Sequence, residues 1–197
     1  MGEKSRFQAL LDESVRVHGH LCPGQVLGVR MAMLGLELIG IDDPKGSQRK
    51  DFVVYVEIDR CATDAIQSVT GCSLGKRSLK YKDYGIMAAT FVNLKDDRAF
   101  RIVAREEARE LARQYAPEIE NKYRRQMEAY KHMTDEELFE WQEVEVAVSR
   151  CDMPGRPLRR VRCENCGDHV QDCREVERDG KILCKACAYG GYYRRKS

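Results

Sequence analysis

No stretch of this chain approaches the roughly 20 consecutive apolar residues that a membrane span needs. The best candidate, Gln25 to Ile41, is interrupted by Arg30 and Glu37. An apolar export signal is also missing, because Met1-Gly2-Glu3-Lys4-Ser5 leads into a charged amphipathic stretch. Arg6 stands where N-myristoylation wants Ser or Thr. These absences set the expectation of a cytoplasmic protein with no membrane contact. In that compartment the nine cysteines, an odd number, are expected to be metal ligands and reactive thiols rather than disulfides.

Net charge is also small, at +2, but it hides an asymmetry. Arg150–Ser197 holds 12 Lys/Arg against 7 Asp/Glu, and the rest of the chain 22 against 25. A basic tail on an acidic body is compatible with nucleic-acid contact, and a solvated surface explains it equally well. With 197 residues, 43% apolar and 34% charged, the chain can hold one ordinary core and a small appendage.

Hydrophobic periodicity orders the body. Phe7, Leu10, Leu11, Ser14 and Val17 trace a helical stripe with a polar middle. Gln25 to Ile39 predicts a helix so apolar that it lies at the centre of the core or packs on a second copy of the chain. Phe52 to Ile58 reads as a strand, and Cys61 opens a helix over Ala62 to Val69. Ile86 to Leu94 and Ala99 to Val103 read as an antiparallel hairpin turning at Lys95-Asp96-Asp97-Arg98. Residues 104–130 read as helical with a break at Pro117. Thr134-Asp135-Glu136-Glu137 is a capping box for a short helix to Trp141, and Val144 to Val148 reads as a last core strand. Without regular βα alternation the fold class is α+β, a mixed sheet with packed helices. The expected boundaries are a core domain at 1–150, a linker at 151–160 and a metal module at 161–197.

The segment His18-Gly19-His20-Leu21-Cys22-Pro23-Gly24 concentrates the side chains best suited to chemistry. Pro and Gly after Cys22 favour a turn into the next helix, which places the thiol at a helix N-terminus where thiolate is favoured. In extended backbone, residues 18, 20 and 22 face one side. If helix persisted, only one histidine could join Cys22, and His20 is then the favoured one. A buried structural Cys or His is the plainer explanation for any one of them alone.

Cys163-Glu164-Asn165-Cys166 and Cys184-Lys185-Ala186-Cys187 are CxxC knuckles 17 residues apart. That spacing predicts a tetrahedral, structural zinc site in a treble-clef or zinc-ribbon module. His169 and Cys173 lie between the knuckles as spares. Gly71-Cys72-Ser73-Leu74-Gly75-Lys76-Arg77 is one residue too short between glycines for a P-loop and has Arg in place of Ser or Thr. Lys76 and Arg77 there are available to an anionic ligand.

With those residues in view, the chain resembles the formylmethanofuran dehydrogenase E-subunit family over roughly residues 7 to 150. The resemblance rests on His18-Gly-His20-Leu-Cys22-Pro-Gly24-Gln25, Asp59-Arg-Cys61-Ala-Thr-Asp64, Thr70-Gly-Cys72-Ser-Leu-Gly75-Lys76 and Asp83-Tyr84-Gly85. It implies an intertwined α+β homodimer, with a C-terminal zinc finger in some members. It also implies a metal-binding active site at His20, Cys22 and Cys61, with His18, Asp64 and Cys72 nearby. The implied partner is a molybdenum or tungsten formylmethanofuran dehydrogenase, or a related oxidoreductase, with a link to methanogenesis. After the zinc module takes four cysteines, the five dispersed ones left cannot hold an iron–sulfur relay.

Three functions compete. The first is a core metal site, zinc or another transition metal on His18, His20, Cys22 and Cys61, that handles a small anionic ligand near Asp64, Cys72 and Lys76. Cys22, His20 and Cys61 would carry its chemistry. The second is a metal-sensing or regulatory protein whose zinc finger contacts nucleic acid or protein, through Arg159, Arg160 and Arg162 among others. The third is a thiol-redox protein using Cys22 and Cys61.

Overall fold

The computed structural model describes residues 2–194 and 196. The chain divides into two compact units, Met1–Ala147 and Val148–Ser197.

The first unit is α+β. Helices α1 (Glu3–His18) and α2 (Pro23–Leu38) precede strand β1 (Phe52–Val56), helix α3 (Cys61–Thr70) and strand β2 (Leu79–Tyr81). The hairpin β3 (Ala88–Asn93) and β4 (Ala99–Ala104) follows, then α4 (Ala108–Tyr115), α5 (Lys122–Ala129), the single turn α6 (Asp135–Leu138) and β5 (Phe139–Glu143). The sheet runs β2-β1-β3-β4-β5 and is mixed, with β1 and β2 parallel and every other neighbour antiparallel. The β-branched and aromatic run Phe52-Val53-Val54-Tyr55-Val56 sits near its centre, with Phe52, Val53 and Val54 fully buried.

Helix α2 is buried within its own chain: Val26, Val29, Met31, Ala32, Leu34 and Leu36 are all in the core. Its burial needs no second copy of the chain. The helix lies close to the sheet because Gly35 leaves room for Phe91; a Cβ at Gly35 would come within 2.3 Å of that ring. Fully burying each of Phe52, Phe91 and Phe139 contributes about 1.5–3 kcal/mol. On the other side of the sheet, Glu57 is buried and meets Arg101 through two bonds of 2.7 and 2.6 Å.

Several elements differ from the sequence expectation. Residue 104 ends a strand, and the helical region is two helices with Pro117 in the break between them. The capping box at Thr134 forms, but its helix stops at Leu138, and Phe139 to Glu143 is the edge strand instead of Val144 to Val148. Phe139 and Trp141 alternate toward the core, and this period of two prevails over the helical reading. In α1, Leu11 and Ser14 are buried, whereas Val17 is exposed.

The second unit holds hairpins β6 (Arg160–Arg162) with β7 (His169–Gln171) and β8 (Val176–Arg178) with β9 (Lys181–Leu183), then helix α7 (Lys185–Tyr189). One knuckle joins β6 to β7 and the other opens α7. Cys151 and Cys173 form a disulfide, which corrects both the reading of Cys173 as a spare and the expectation that no cysteine pairs. Asp152 with Arg174, and Asp172 with the Leu158 amide, fasten the same two segments.

No helix among the described residues is long and apolar enough to cross a membrane.

Candidate metal centre

The site begins where α1 ends. Gly19 adopts φ 96°, closed to most side chains, and its amide caps the Val15 carbonyl at 2.8 Å. Helix therefore stops at His18. Cys22 is the extended N-cap of α2, with Pro23 at the first helical position. The four-residue excursion between the two helices brings donor atoms of His18, His20 and Cys22 within 4.8 Å of one another. The two imidazole rings lie 4.6 Å apart. His18 and His20 both belong to the set, because the helix on which only one histidine could join Cys22 ends at His18.

His18 is held from behind. Its Nδ1 lies 2.8 Å from Asp64 Oδ2, and its side chain is only 12% exposed. A carboxylate can only accept, so Nδ1 carries the hydrogen, and in the neutral ring Nε2 presents its lone pair. That Nε2 is buried and has no hydrogen-bond partner. A histidine backed by a carboxylate, with its far nitrogen free, is the arrangement that orients an imidazole for a metal.

Cys61 comes from the start of α3 and lies beside Cys22, although it is outside the 4.8 Å set. Two glycines allow the approach. A Cβ on Gly24 would meet Cys61 Cβ at 3.0 Å, and one on Gly28 would meet the Ala62 carbonyl oxygen at 2.5 Å. Gln25, fully buried, donates from Nε2 to the Cys61 carbonyl at 2.7 Å and accepts from the Ser14 hydroxyl. One side chain thereby ties α1, α2 and the backbone of Cys61 together. The sequence reading missed Gln25; the signal was Ser14, a polar residue on an apolar stripe that required a buried partner.

Burial pushes the Cys22 thiol up; the Gln25 and Gly24 amides pull it down, and the neighbouring Cys61 thiol adds to the rise. The net direction is upward, so the helix N-terminus does not by itself make Cys22 a thiolate. Asp64 joins the site through His18. Cys72 and Lys76 do not: they follow the other end of α3, about 15 Å along a ten-residue helix. There Cys72 is buried, which raises its thiol, and Lys76 Nζ donates to the Gly71 carbonyl at 3.0 Å.

The second cluster is Cys163, Cys166, Cys184 and Cys187, whose sulfurs also lie within 4.8 Å of one another. Cys166 and Cys184 are 3.9 Å apart, and Asn165 Nδ2 donates to Cys187 Sγ at 3.2 Å. Amides of Cys166, Cys184 and Asn165 hold the Cys163 thiol down to about 6. His169 sits on β7, outside this set.

The family model described as FmdE, molybdenum formylmethanofuran dehydrogenase operon, matches residues 17–140. An Archaeoglobus fulgidus protein named probable S-adenosyl-L-methionine-binding protein is 33% identical over 208 residues, covering 96% of this chain and 55% of that protein. The chain therefore spans about half the length of this curated relative. A crystal structure of an FmdE-like protein of the tungsten formylmethanofuran dehydrogenase type, from Syntrophus aciditrophicus, matches with a TM-score of 0.61 at 18% identity. That match covers 95% of each chain and shows a shared fold.

Proposed function

The chain belongs to the FmdE family, and from that membership we propose that its first unit binds a transition-metal ion on His18, His20 and Cys22. Cys61, beside Cys22, would be the neighbouring thiol. The observation that carries this reading is the buried, unpartnered Nε2 of His18, with Asp64 fixing the opposite nitrogen. A buried ring nitrogen left without a partner costs about 1–3 kcal/mol, and a cation would satisfy it. A bound cation would favour the thiolate of Cys22, against the burial that raises this thiol. Three protein donors and one open position would supply Lewis-acid chemistry to a small anionic ligand. In this reading Asp64 orients His18, Gln25 fixes Cys61, and the close α2–α3 contact keeps the two thiols together.

The four-cysteine cluster is proposed as a structural zinc site. Tetrahedral Zn–S bonds of about 2.3 Å put sulfurs about 3.8 Å apart, which the 3.9 Å between Cys166 and Cys184 supports. Association with a formylmethanofuran dehydrogenase is proposed from the family description, which names the molybdenum enzyme's operon; assembly as a homodimer is proposed from the sequence resemblance alone. S-adenosyl-L-methionine, from the relative's name, is a ligand to titrate against the metal-loaded protein.

Elemental analysis of the purified full chain tests the reading. Two metal ions per chain are expected, falling to one in His18→Ala and in Cys22→Ala. One ion per chain, unchanged by Cys22→Ala, would overturn it. So would a reversible Cys22–Cys61 disulfide in protein that takes up no second ion; that result would instead support the thiol-redox reading.

A further inference from the structure

Around the four-cysteine cluster lies a surface that the metal reading does not use. In the β6–β7 ribbon Arg160 pairs with Gln171 and Arg162 with His169. All four are exposed, while Val161 and Val170 between them are half-buried. Alternate strand residues share a face, so one side of the ribbon presents two guanidinium groups, an imidazole and an amide.

Three other arginines of this unit are engaged: Arg159 with Glu175, Arg174 with Asp152, and Arg178 with Asp179. Among the described residues Arg156, Arg160, Arg162, Lys181, Lys185 and Arg194 form no ion pair, and Arg162 Nε makes one long bond of 3.4 Å to the Gly167 carbonyl. With 12 Lys/Arg against 7 Asp/Glu, Arg150–Ser197 stays positive even after four thiolates on a divalent ion add two negative charges.

Aromatic rings accompany the charge. Tyr189, Tyr192 and Tyr193 are 74%, 101% and 55% exposed, and the last two meet edge to face at 5.2 Å. Arg162 precedes the ligand Cys163, Lys185 lies between Cys184 and Cys187, and Tyr189 follows Cys187 by two residues. The cluster therefore fixes cations and a ring within a few residues of one point.

We propose that this face binds single-stranded nucleic acid. Arg160 and Arg162 hold phosphates, and the tyrosines stack on unpaired bases. Arg160 and Arg162 lie about 6.6 Å apart along one strand, a row of cations that can follow one phosphate backbone. An acidic protein segment would satisfy the cations but would leave the three exposed rings without a role. Stacking on bases uses them.

The test titrates the full-length, metal-replete protein into a labelled mixed-sequence single strand of about 20 nucleotides, at roughly 50 to 200 mM salt. Affinity should fall linearly with the logarithm of salt concentration. In Arg160→Ser/Arg162→Ser the slope should flatten by about 1.4, two phosphates at about 0.7 each, and Arg160→Lys/Arg162→Lys should restore it. Tyr189→Ala and Tyr192→Ala should each weaken binding about tenfold with the slope unchanged. Arg109→Ser/Arg113→Ser, on the first unit, should change neither, and an unaltered metal content would show that the knuckles are intact in each variant. Absence of salt-dependent binding overturns the proposal, as does an equal loss in the Arg109/Arg113 control. Duplex bound as tightly as single strand, with no tyrosine effect, also overturns it. Displacement by polyglutamate as readily as by the oligonucleotide would assign the face to an acidic protein instead.

Discussion

Replacing Gln25 with leucine should destabilise the first unit by about 1–3 kcal/mol, although leucine is apolar and similar in size. Gln25 is 0% exposed, and its amide is engaged at both ends. Leucine would leave the Ser14 hydroxyl without its acceptor and the Cys61 carbonyl with only its bond inside α3. The stranded hydroxyl costs about 1–3 kcal/mol and the lost bond to the carbonyl about 1, offset by roughly 1 kcal/mol because the amide no longer has to be desolvated. Ser14→Ala alone strands only one lone pair of Gln25 and should cost about 1 kcal/mol. In the double variant the stranded hydroxyl is gone, so the two losses should fall short of additivity by about 0.5–1.5 kcal/mol. The assay is urea unfolding at saturating zinc, followed by the single tryptophan, Trp141, which lies on β5 and reports the first unit alone. With a slope of about 1–3 kcal/mol per molar urea, the midpoint should drop by about 1–2 M. A loss below about 0.5 kcal/mol, or strict additivity with Ser14→Ala, would refute the idea that Gln25 ties the three helices together.

Three further outcomes are expected. Gly28→Ala places a methyl group 2.5 Å from the Ala62 carbonyl oxygen; it should cost about 1–3 kcal/mol and weaken metal uptake by the first unit, whereas wild-type uptake would contradict the close-approach argument. Glu57→Gln leaves Arg101 facing a neutral partner; with Arg101 27% exposed the loss should be about 2–3 kcal/mol, and Glu57→Leu/Arg101→Leu should recover most of it in the same urea assay. Tyr81 donates to Asp83 at 2.8 Å, which holds its hydroxyl up at about 12. A raised folded-state value means this contact stabilises fully below the unfolded value of about 10 and is lost as pH rises through about 12. Asp83→Asn should bring one late-titrating tyrosine back toward 10 in an ultraviolet titration, leaving Tyr130, held up at about 12 mainly by burial; an unchanged curve would show that the contact does not exist in solution.

Much of the first unit was legible because its signals are local. Proline and glycine after Cys22, the β-branched run at 52–56, and the Lys95–Arg98 turn each fix an element through short-range chemistry. The edge strand was not, because Phe139 to Glu143 directly follows a true helix cap at Thr134 and shares its acidic composition. Only pairing with β4 distinguishes the two, and pairing is a long-range property. The candidate site divides in the same way. The spacing of His18, His20 and Cys22 is local and visible, whereas the alignment of Asp64 behind His18 depends on where α3 lies. Cys72 shares a sequence neighbourhood with Cys61 yet sits at the far end of a rigid helix, so proximity in sequence misled. The Cys151–Cys173 bridge joins residues that no local pattern pairs.

The two cysteine-containing clusters use similar donors in opposite energetic settings. In the first unit the donors are set by packing: three helices and a sheet enclose a core that includes Val26, Phe52, Phe91 and Phe139, and the glycines of α2 determine how closely Cys22 and Cys61 approach. Removing a ligand there leaves the scaffold standing, so metal affinity at this site reflects how well His18, His20 and Cys22 are already arranged. In the second unit the fully or nearly buried residues are few, Cys163, Asp172 and Ala188. Four three-residue strands and one short helix cannot bury enough apolar surface to hold themselves together. The four sulfurs and the Cys151–Cys173 bridge take the place of a core, and order in the ribbon carrying Arg160 and Arg162 depends on them. On the proposed reading, metal at the first cluster would adjust chemistry on an existing fold, while metal at the second would decide whether its surface exists.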